Sequence, residues 1–441
     1  MKKALLAMSL FFFILPAAAR ASETQAAAPV YGLDELFGLA LERAEKIKLS
    51  EEELRIAEAG RDRARSLLMP KLSIFGDARR YSEEKTSASG STLQPGMTSS
   101  WGARLDHALS LGGRELTGLK TAKQNAEKRG YDFEGMKEGY LFTVAAAYYD
   151  VLKARKSVEI AAANTKRLKR HRDAAEARLR VGEVTKTALL RAEAELSGAE
   201  AQAVSSGNRL GILKAQLARI VWIEGEFELK DAPLAEASGI RLWLNLASLK
   251  EEAFGRRPEM KSAELGKRIA EGQARYAKAA YRPTVSVEGV YSRRDDDPAS
   301  QFLVKESIYG GIKLTFPVFD GGLRAADVAE AHSRLRQAEL GFEDIRKTVT
   351  LEVEEAYLNL MTQAAVLKSF EDQLAFARDN YDAVSRQFEF GLATSTDVMD
   401  ANTLLVIAES QLADAAFNRR LAELRLDRAT GNLLKKSSSG R

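Results

Sequence analysis

The stretch Leu314-Thr315-Phe316-Pro317-Val318-Phe319-Asp320-Gly321-Gly322 decides the fold, because the spacing of apolar residues changes within it. Up to Val318, apolar and polar residues largely alternate, which is typical of a strand with one apolar face. After Gly322 the apolar spacing becomes helical, and no proline occurs before about Phe390. The stretch therefore predicts a strand that turns into a very long helix. Pro317 indicates a sheet edge or a bulge, because proline cannot donate to a central ladder.

The same change of spacing occurs earlier in the chain. The stretch Leu105-Asp106-His107-Ala108-Leu109-Ser110-Leu111-Gly112-Gly113 leads from a strand into a proline-free run that reaches Val181. An offset of 213 residues places Pro70 on Pro283, and after the strands an offset of 209 places Leu105 on Leu314. The sequence therefore predicts an internal duplication.

This duplication sets the predicted domain organisation. Residues 22–230 form the first structural repeat and residues 243–434 the second, with a linker at 231–242. The tail, 435–441, is expected to be disordered.

Each repeat contains the same predicted parts. In the first, Leu33–Lys48 and Glu51–Met69 are predicted helices, and the loop Ser82–Ser100 joins two strands. In the second, Asp295-Asp296-Asp297-Pro298 is placed in the corresponding loop. The run from Gly113 to Val181 predicts a helix of roughly 100 Å, at about 1.5 Å per residue.

A shorter return helix follows each long helix. Apolar residues at alternating steps of three and four predict heptad seams there, with alanines that allow close helix packing. The two seams are Leu189, Ala192, Leu196, Ala199 and Ala203, and Val398, Ala401, Leu405, Ala408, Leu412 and Ala415.

The first residues predict export. Met1-Lys2-Lys3, the apolar run to Ala19 and the Ala19-Arg20-Ala21 pattern are typical of a signal peptide, 1–21, that is cleaved. The chain has no cysteine, so we expect no disulfide, no Cys-ligated metal and no N-terminal lipid anchor. Beyond the signal, no apolar run reaches about 18 residues, and a chain of this kind that spans a membrane does so with strands.

Four predicted strands per chain cannot close a barrel, which takes at least about eight, and open edges are not tolerated in lipid. A trimer would supply twelve. We therefore expect an α+β membrane protein, in which a trimeric 12-stranded β-barrel, four strands per chain, is continued by a long α-helical coiled-coil barrel built from two internal repeats.

The chain resembles the TolC family of outer-membrane efflux and secretion tunnels over nearly all of its expected mature length. The segments that carry the resemblance are Tyr31-Gly32-Leu33-Asp34-Glu35-Leu36, Leu68-Met69-Pro70-Lys71-Leu72, Pro317 to Gly322, and Phe390 to Ala401. The resemblance implies a homotrimeric conduit in outer-membrane lipid, with its helical part in the periplasm. It also implies a periplasmic adaptor (membrane fusion protein) and, through it, an inner-membrane pump for efflux or type I secretion. Such a tunnel has no catalytic machinery and no cofactor.

Two sets of short turns are candidate functional positions. The strand-to-helix turns lack the residues of a phosphate loop, so plain chain reversal is favoured there. They comprise Gly112, Gly113, Asp320, Gly321 and Gly322. The helix-hairpin tips are where the resemblance implies adaptor docking, and their glycines also act as helix caps. They comprise Val181, Gly182 and Glu183, and Phe390, Gly391, Leu392 and Thr394.

Asp397 and Asp400 are the candidate pore constriction. At i and i+3 they share one side of the return helix, away from its seam, and the resemblance implies that they line the periplasmic gate. The competing interpretation is a helix cap, because Thr394 and Asp397 have capping spacing. The family's best-known tunnel latches its tip with a tyrosine and an arginine, which match Phe388 and Ala393 here. Closure is therefore expected to be looser or to use other contacts.

Other interpretations stay open at this point. A periplasmic coiled-coil adaptor or structural protein would not show strand pairs in both halves, and an exported enzyme would need a pocket that the sequence does not offer. The basic run Lys166 to Arg172 is interpreted first as a solvated helix face and second as a partner contact. A nucleic-acid site is disfavoured, since the net charge is only +4. His107, His171 and His332 show no metal-ligand spacing. Drugs, metal ions and proteins all remain possible cargo.

Overall fold

The computed structural model describes residues 28–231 and 245–435. The predicted signal peptide, nearly all of the predicted linker and residues 436–441 lie outside these ranges. The first repeat contains β1 (Val30–Tyr31), α1 (Leu33–Arg43), α2 (Glu45–Ser66), β2 (Lys71–Arg80), β3 (Lys85–Thr86), β4 (Thr92–Gln94), β5 (Met97–Ser110), α3 (Arg114–Arg180), α4 (Lys186–Val221) and β6 (Glu228–Leu229). The second contains α5 (Leu246–Arg256), α6 (Pro258–Ala279), β7 (Thr284–Asp297), β8 (Glu306–Thr315), α7 (Leu323–Glu389) and α8 (Ser395–Ala429).

The duplication is visible element by element. Helices α1 and α5 have 11 residues each, α2 and α6 have 22 each, and α3 and α7 have 67 each. The two long helices confirm the prediction made from the proline-free runs. Among the described residues, no helix combines the length and the apolar character needed to cross a membrane.

The break between the first two helices was predicted wrongly. Helix α1 ends at Arg43 and α2 begins at Glu45, because Ala44 has an extended backbone with φ −64° and ψ 127°. Arg257 takes nearly the same conformation, and there the cause is clear: it precedes Pro258, and a residue before proline disfavours the helical region. Ala44 is the repeat counterpart of Arg257 and is buried at 1% exposure, so packing keeps the same break without a proline.

Four long strands form one antiparallel sheet in the order β2-β5-β7-β8. Its register places mainly apolar side chains on one face: Leu72, Ile74, Trp101, Leu105, Val287, Tyr291, Ile312 and Leu314. The opposite face carries mainly polar side chains: Ser73, Asp77, Arg104, Asp106, Ser286, Glu288 and Lys313. The one apolar face predicted from the alternating residues before Val318 is confirmed.

The loops between the strands are shorter than predicted. Strand β5 begins at Met97, inside the predicted loop Ser82–Ser100, and β3 and β4 form a small hairpin within that loop. Asp295, Asp296 and Asp297 belong to β7, because they pair with residues 97–99 of β5. Polar composition suggested a loop, whereas the continuous backbone ladder keeps these residues in the sheet.

The prediction for the stretch Leu314 to Gly322 also needs a correction. Strand β8 ends at Thr315, so Phe316, Pro317 and Val318 lie beyond it. Thr315 pairs with Thr284, the first residue of β7, and the ladder has no partner on that side past this point. Strand β8 is an edge strand, as Pro317 predicted.

The helices form two long antiparallel pairs. Helix α3 packs along α4, α7 packs along α8, and α3 also contacts α8. The predicted seam residues Ala192, Leu196 and Ala199 are buried, and so are most of those on α8. Small residues at these positions allow the close approach of the paired helices.

The short helices cover the long helix pairs near mid-length. Helix α1 packs Leu36 against a cluster that includes Leu141 of α3 and Leu217 of α4. Helix α5 packs Leu249 against a second cluster that includes Val353 of α7. The first cluster also includes Phe417 of α8 and Leu433, so it joins the two repeats, whereas the second cluster consists of residues of the second repeat alone.

A buried carboxyl group lies beside these cores. Glu138 of α3 is 4% exposed, and burial raises its pKa to about 7. This pKa of about 7 already includes a smaller rise from the nearby carboxylate of Glu259, and the opposing effects of a hydrogen bond from the backbone of Leu434 and of the charges of Arg257 and Arg428. A raised carboxyl pKa means that folding favours the protonated form, so stability falls as pH rises from about 4.5 to about 7.

Glu138→Gln should remove this penalty. At pH 8 the variant should unfold at a higher temperature than the unaltered protein. The gain in the free energy of unfolding should be at most about 3 kcal/mol, and it should shrink towards pH 4.5. Circular dichroism melts in detergent across this pH range measure the effect. Glu134→Gln, an exposed position one turn earlier on α3, is the control and should show no such trend. A Glu138→Gln gain that does not depend on pH would contradict the assignment.

Candidate functional site

The two hairpin tips have the same backbone construction. Gly182 and Gly391 have φ of +78° and +74°, the left-handed region that favours glycine. Behind each glycine, the chain closes the helix end with a long backbone hydrogen bond, from Glu183 N–H to Arg178 O at 2.9 Å and from Leu392 N–H to Gln387 O at 2.8 Å. This is the Schellman arrangement, which satisfies the last carbonyls of a helix. The predicted capping role of both glycines is confirmed.

The apolar residues of the tips point into solvent. Val181, Phe390 and Leu392 are 71%, 79% and 79% exposed in the single chain. Together with the two glycines they form an apolar end to each hairpin. Exposed side chains of this size, grouped at one end of a molecule, are typical of a contact surface for another protein.

Arg178 joins the two tips of one chain. Its guanidinium donates to the backbone carbonyl of Phe388 on the other hairpin and lies 4.7 Å from the centre of that ring. The same group donates to the Glu183 carboxylate at 2.9 Å, and the Arg178 side chain is only 17% exposed. One arginine therefore satisfies a carbonyl at the end of α7 and holds the first tip against the second.

A buried histidine reinforces this junction. His171 Nε2 lies 2.8 Å from the hydroxyl of Ser395 at the start of α8, and its ring lies 4.9 Å from the ring of Phe388. Burial lowers the pKa of His171, which favours the neutral ring at neutral pH. Arg191 of α4 also contacts the second hairpin, since it donates to the hydroxyl of Thr396 of α8 at 3.3 Å. Phe388 thus contacts the first hairpin through both its ring and its carbonyl.

The basic run Lys166 to Arg172 divides between two environments. Lys166, Lys169 and Arg170 are exposed, as a solvated face predicts. Arg167 instead faces α8, where it donates to Asn402 at 2.9 Å and to the Glu409 carboxylate at 3.0 Å. The prediction was therefore incomplete for this residue.

Sequence reasoning missed the polar contacts between α3 and the second hairpin. A signal was available, because the residues that make them recur at helical steps of three, four and seven. They are Asn164, Arg167, His171 and Arg178. A polar stripe with heptad spacing indicates a helix face that meets another polar helix face.

Asp397 makes the predicted helix cap. Its carboxylate accepts from the backbone N–H and the hydroxyl of Thr394, at 2.8 and 2.7 Å, and its own N–H donates to that hydroxyl at 3.3 Å. The hydrogen bond from the Thr394 hydroxyl, followed by that from its backbone, lowers the pKa of Asp397. Asp397 and Asp400 are both exposed, whereas Val398 and Met399 between them are buried. The two carboxylates therefore share a face that the rest of the chain leaves uncovered.

The strand-to-helix turns are structural. Gly113 and Gly322, with φ of +66° and +91°, precede α3 and α7. Asp320 accepts from Gly322 N–H at 3.2 Å and from Arg324 Nε at 2.6 Å, which fixes the second turn. A Cβ on Gly112 would lie 2.8 Å from the carbonyl oxygen of Ala279, so only glycine fits there. Within residues 28–231 and 245–435, no group of His, Asp and Glu side chains could hold a metal ion.

A β-sheet leads directly into two pairs of very long helices, and each pair ends in a glycine turn. This architecture is that of the channel-tunnel class of outer-membrane proteins. Comparisons with known proteins agree. Residues 36–221 and 249–432 match the model of the outer membrane efflux protein family. Outer membrane protein TolC of Escherichia coli K12 is 24% identical over 418 residues, covering 88% of this chain and 81% of that protein.

Two further comparisons point the same way. Alkaline protease secretion protein AprF of Pseudomonas aeruginosa is 24% identical over 302 residues, which cover 67% of this chain and 62% of that protein. The solved structure of the outer-membrane channel OprN has the same fold, with a TM-score of 0.81 at 18% identity and coverage of 91% and 90% of the two chains.

The chain belongs to the outer membrane efflux protein family, which includes TolC. The resemblance found in the sequence is confirmed. The protein is an outer-membrane channel of efflux or type I secretion and not an enzyme. The competing interpretations, a periplasmic adaptor and an exported enzyme, are set aside.

Arg178→Ala should loosen the tips. Losing a charged hydrogen bond to a half-buried carbonyl is equivalent to about 1.5–3 kcal/mol, so amide hydrogen exchange in residues 386–395 should accelerate about tenfold or more. Exchange read by mass spectrometry in detergent measures this. Arg180→Ala, at an exposed position in the same turn, is the control. Equal exchange in the two variants would mean that Arg178 does not hold the tips together.

Proposed function

We propose that three copies of the chain form a passive conduit from the periplasm to the exterior. The observation that carries this proposal is the sheet of one chain. It has an apolar face with Leu72, Ile74 and Ile312 exposed at 73%, 84% and 79%, a polar opposite face, and two open edges, β2 and β8. A barrel of three such sheets turns its apolar face to lipid and its polar face to water, and leaves no edge unpaired.

The long helices continue this barrel as a tunnel. Each chain contributes α3 and α7 with their return helices α4 and α8, so three chains supply twelve helices around one axis. At roughly 1.5 Å per residue, 67 residues span about 100 Å, which suits a conduit that reaches far into the periplasm. The conduit has no energy source of its own, and a partner must drive transport.

We propose that the tips contact that partner. The apolar side chains of Val181, Phe390 and Leu392 project beside Gly182 and Gly391, where the absence of a side chain lets another backbone approach. Glu183 and Thr394 complete the two turns. A periplasmic adaptor that binds this surface would link the tunnel to an inner-membrane pump, as the family resemblance implies.

The constriction is assigned to Asp397 and Asp400. In a trimer their shared exposed face would form two rings of three carboxylates around the axis. Such rings concentrate cations and hold divalent ions. The capping bonds of Asp397 are compatible with this role, because one carboxylate can accept from Thr394 and still present charge to the pore. The tyrosine and arginine of the family's latch are absent here, where Phe388 and Ala393 stand at their positions. We assign the role of that latch to the contacts of Arg178, His171 and Arg191.

The double variant Asp397→Ala with Asp400→Ala tests the conduit and its gate together. In planar bilayers we expect the variant to conduct, to lose most of its preference for cations, and to be blocked at least about tenfold less well by divalent cations, because the carboxylate rings are gone. Asp414→Ala, an exposed position further along α8, is the control and should behave like the unaltered channel.

The outcomes separate the two parts of the proposal. If the unaltered protein forms no channel, the conduit is wrong. If it forms channels and the double variant keeps the same selectivity and block, the conduit stands, and the two carboxylates serve only the helix start.

A further inference from the structure

Helix α4 ends with an unusual residue. Its last turn is closed by the same long backbone hydrogen bond as the hairpin tips, but the left-handed position in that turn is held by Trp222, with φ 56° and ψ 55°. The turns after α3, α7 and α8 place Gly182, Gly391 and Gly431 there. Among the described residues, Trp222 is the only residue other than glycine with a positive φ. A bulky side chain is strained in this conformation, and strain that a fold retains is a reason to look for a function.

The second repeat shows what glycine allows at this position. The end of α8 lies directly on the break between α5 and α6, because a Cβ on Gly431 would come within 3.1 Å of backbone atoms of Arg256 and Arg257. Asn432 accepts a hydrogen bond from the Arg256 guanidinium at 2.7 Å, and Leu433 is buried. The helix end and the break are therefore in contact.

The first repeat has different residues at the same three positions. The repeat offset of 209 puts Trp222, Ile223 and Glu224 in the places of 431, 432 and 433. A side chain at the left-handed position prevents α4 from approaching the break between α1 and α2 as closely as α8 approaches its own. A cavity of about 690 Å³ lies there instead, between Trp222 and the residues on either side of the break, Arg43 and Glu45.

The lining of this cavity combines aromatic rings with charges of both signs. Trp222 is 50% exposed, and Tyr31 is half-buried beside it. Four exposed charged side chains, two of each sign, also line the cavity: Arg43, Lys48, Glu45 and Glu224. Within the two described ranges of the chain, none of these four side chains forms a hydrogen bond or an ion pair. All four are thus available to a ligand.

We infer that the cavity binds a glycan of the cell wall, whose N-acetylated sugar rings bear peptide stems with both carboxylate and ammonium groups. The apolar face of a sugar ring packs on an exposed indole, and Trp222 offers one. Arg43 and Lys48 suit carboxylates, while Glu45 and Glu224 suit ammonium and amide N–H groups. A ligand with charge of one sign would leave half of these side chains without a partner.

The place of the cavity in the fold suits this ligand. Helix α2 begins at Glu45, at the edge of the cavity, and its 22 residues lead towards β2. At roughly 1.5 Å per residue, the cavity lies about 33 Å from the sheet along this helix. In an outer-membrane channel whose helical part extends into the periplasm, that distance is beyond the reach of lipid headgroups and falls where the cell wall lies. Binding would hold the long helical part at a fixed height in the wall.

Trp222→Gly tests the site without threatening the fold, because it restores the residue of the second repeat and removes the backbone strain. The unaltered full-length protein in detergent should co-sediment with purified cell-wall sacculi, and Trp222→Gly should bind at least about tenfold less tightly. The melting temperature of the variant should be equal to that of the unaltered protein or higher. Equal binding by the two proteins would overturn the site, and so would unaltered protein that does not bind.

A second copy of the chain is the competing occupant of the cavity. In that case Trp222→Gly would lower the temperature at which the assembled protein dissociates on mild denaturing gels, and the unaltered protein would not bind sacculi. That pair of results would overturn the glycan assignment.

Two neighbouring lysines test the charged part of the site. Lys48→Ala should weaken binding to sacculi, and the loss should be larger at low salt, where charges are less screened. Lys46→Ala is the matched control, since Lys46 is exposed two residues away and does not line the cavity, so its binding should not change. Equal losses in the two variants would contradict a specific role for Lys48.

Calorimetry with soluble wall fragments distinguishes the parts of the ligand. The probes are a disaccharide–tetrapeptide, the same disaccharide without its peptide, and the tetrapeptide alone. The complete fragment should bind at least about tenfold more tightly than either part, because the rings contact sugar and the charges contact peptide. If the tetrapeptide alone bound as tightly, the sugar contact would be wrong; if the disaccharide alone did, the charged contacts would be wrong.

Channel measurements keep this inference separate from the proposed conduit. Trp222→Gly should conduct in planar bilayers like the unaltered protein, because the cavity is assigned no part in conduction. Loss of wall binding with normal conduction is the expected result. Protein that binds the wall but forms no channel would contradict the conduit and leave the glycan site standing.

Discussion

The unpaired backbone at the two edges of one four-stranded sheet is the constraint on which the architecture depends. In lipid no water satisfies the N–H and C=O groups of an edge strand, so an isolated sheet of this kind is not stable there. The chain contains one β-hairpin in each repeat, and the two hairpins are joined by the pairing of β5 with β7. Strands β2 and β8 remain unpaired at the two edges of the sheet. In the proposed trimer, neighbouring copies of the chain pair these edges.

The same duplication organises the periplasmic part. Each hairpin leads into a helix of 67 residues, and α8 of the second repeat lies against α3 of the first. The contact between α3 and the second hairpin is polar: Arg167 binds Glu409 of α8, and Arg178 binds the carbonyl of Phe388 at the end of α7. Polar contacts of this kind can separate at lower cost in water than an apolar seam. In the proposed gated tunnel, these contacts can separate while the apolar cores near mid-length, around Leu141 and Val353, stay intact.

Much of the fold could be predicted because it depends on spacing along the chain. The long helices, the apolar sheet face and the heptad seams follow from the periods of apolar residues, and the glycine turns follow from the backbone conformation that they require. The break at Ala44 was missed because packing holds it, although Pro258 marks the equivalent position. The three aspartates of β7 were misplaced because a ladder with β5 overrides their composition. The candidate site was predictable at Asp397 and the tip glycines, whereas Arg178 depends on a contact between residues 210 positions apart in the sequence.

The account depends most directly on the number of chains in the particle. Light scattering combined with size exclusion, on protein extracted from outer membranes in mild detergent and corrected for bound detergent, measures that number. Three chains per particle is the result that the proposed trimer predicts. A stable particle of one chain would contradict it, because β2 and β8 would then have to remain unpaired in the membrane.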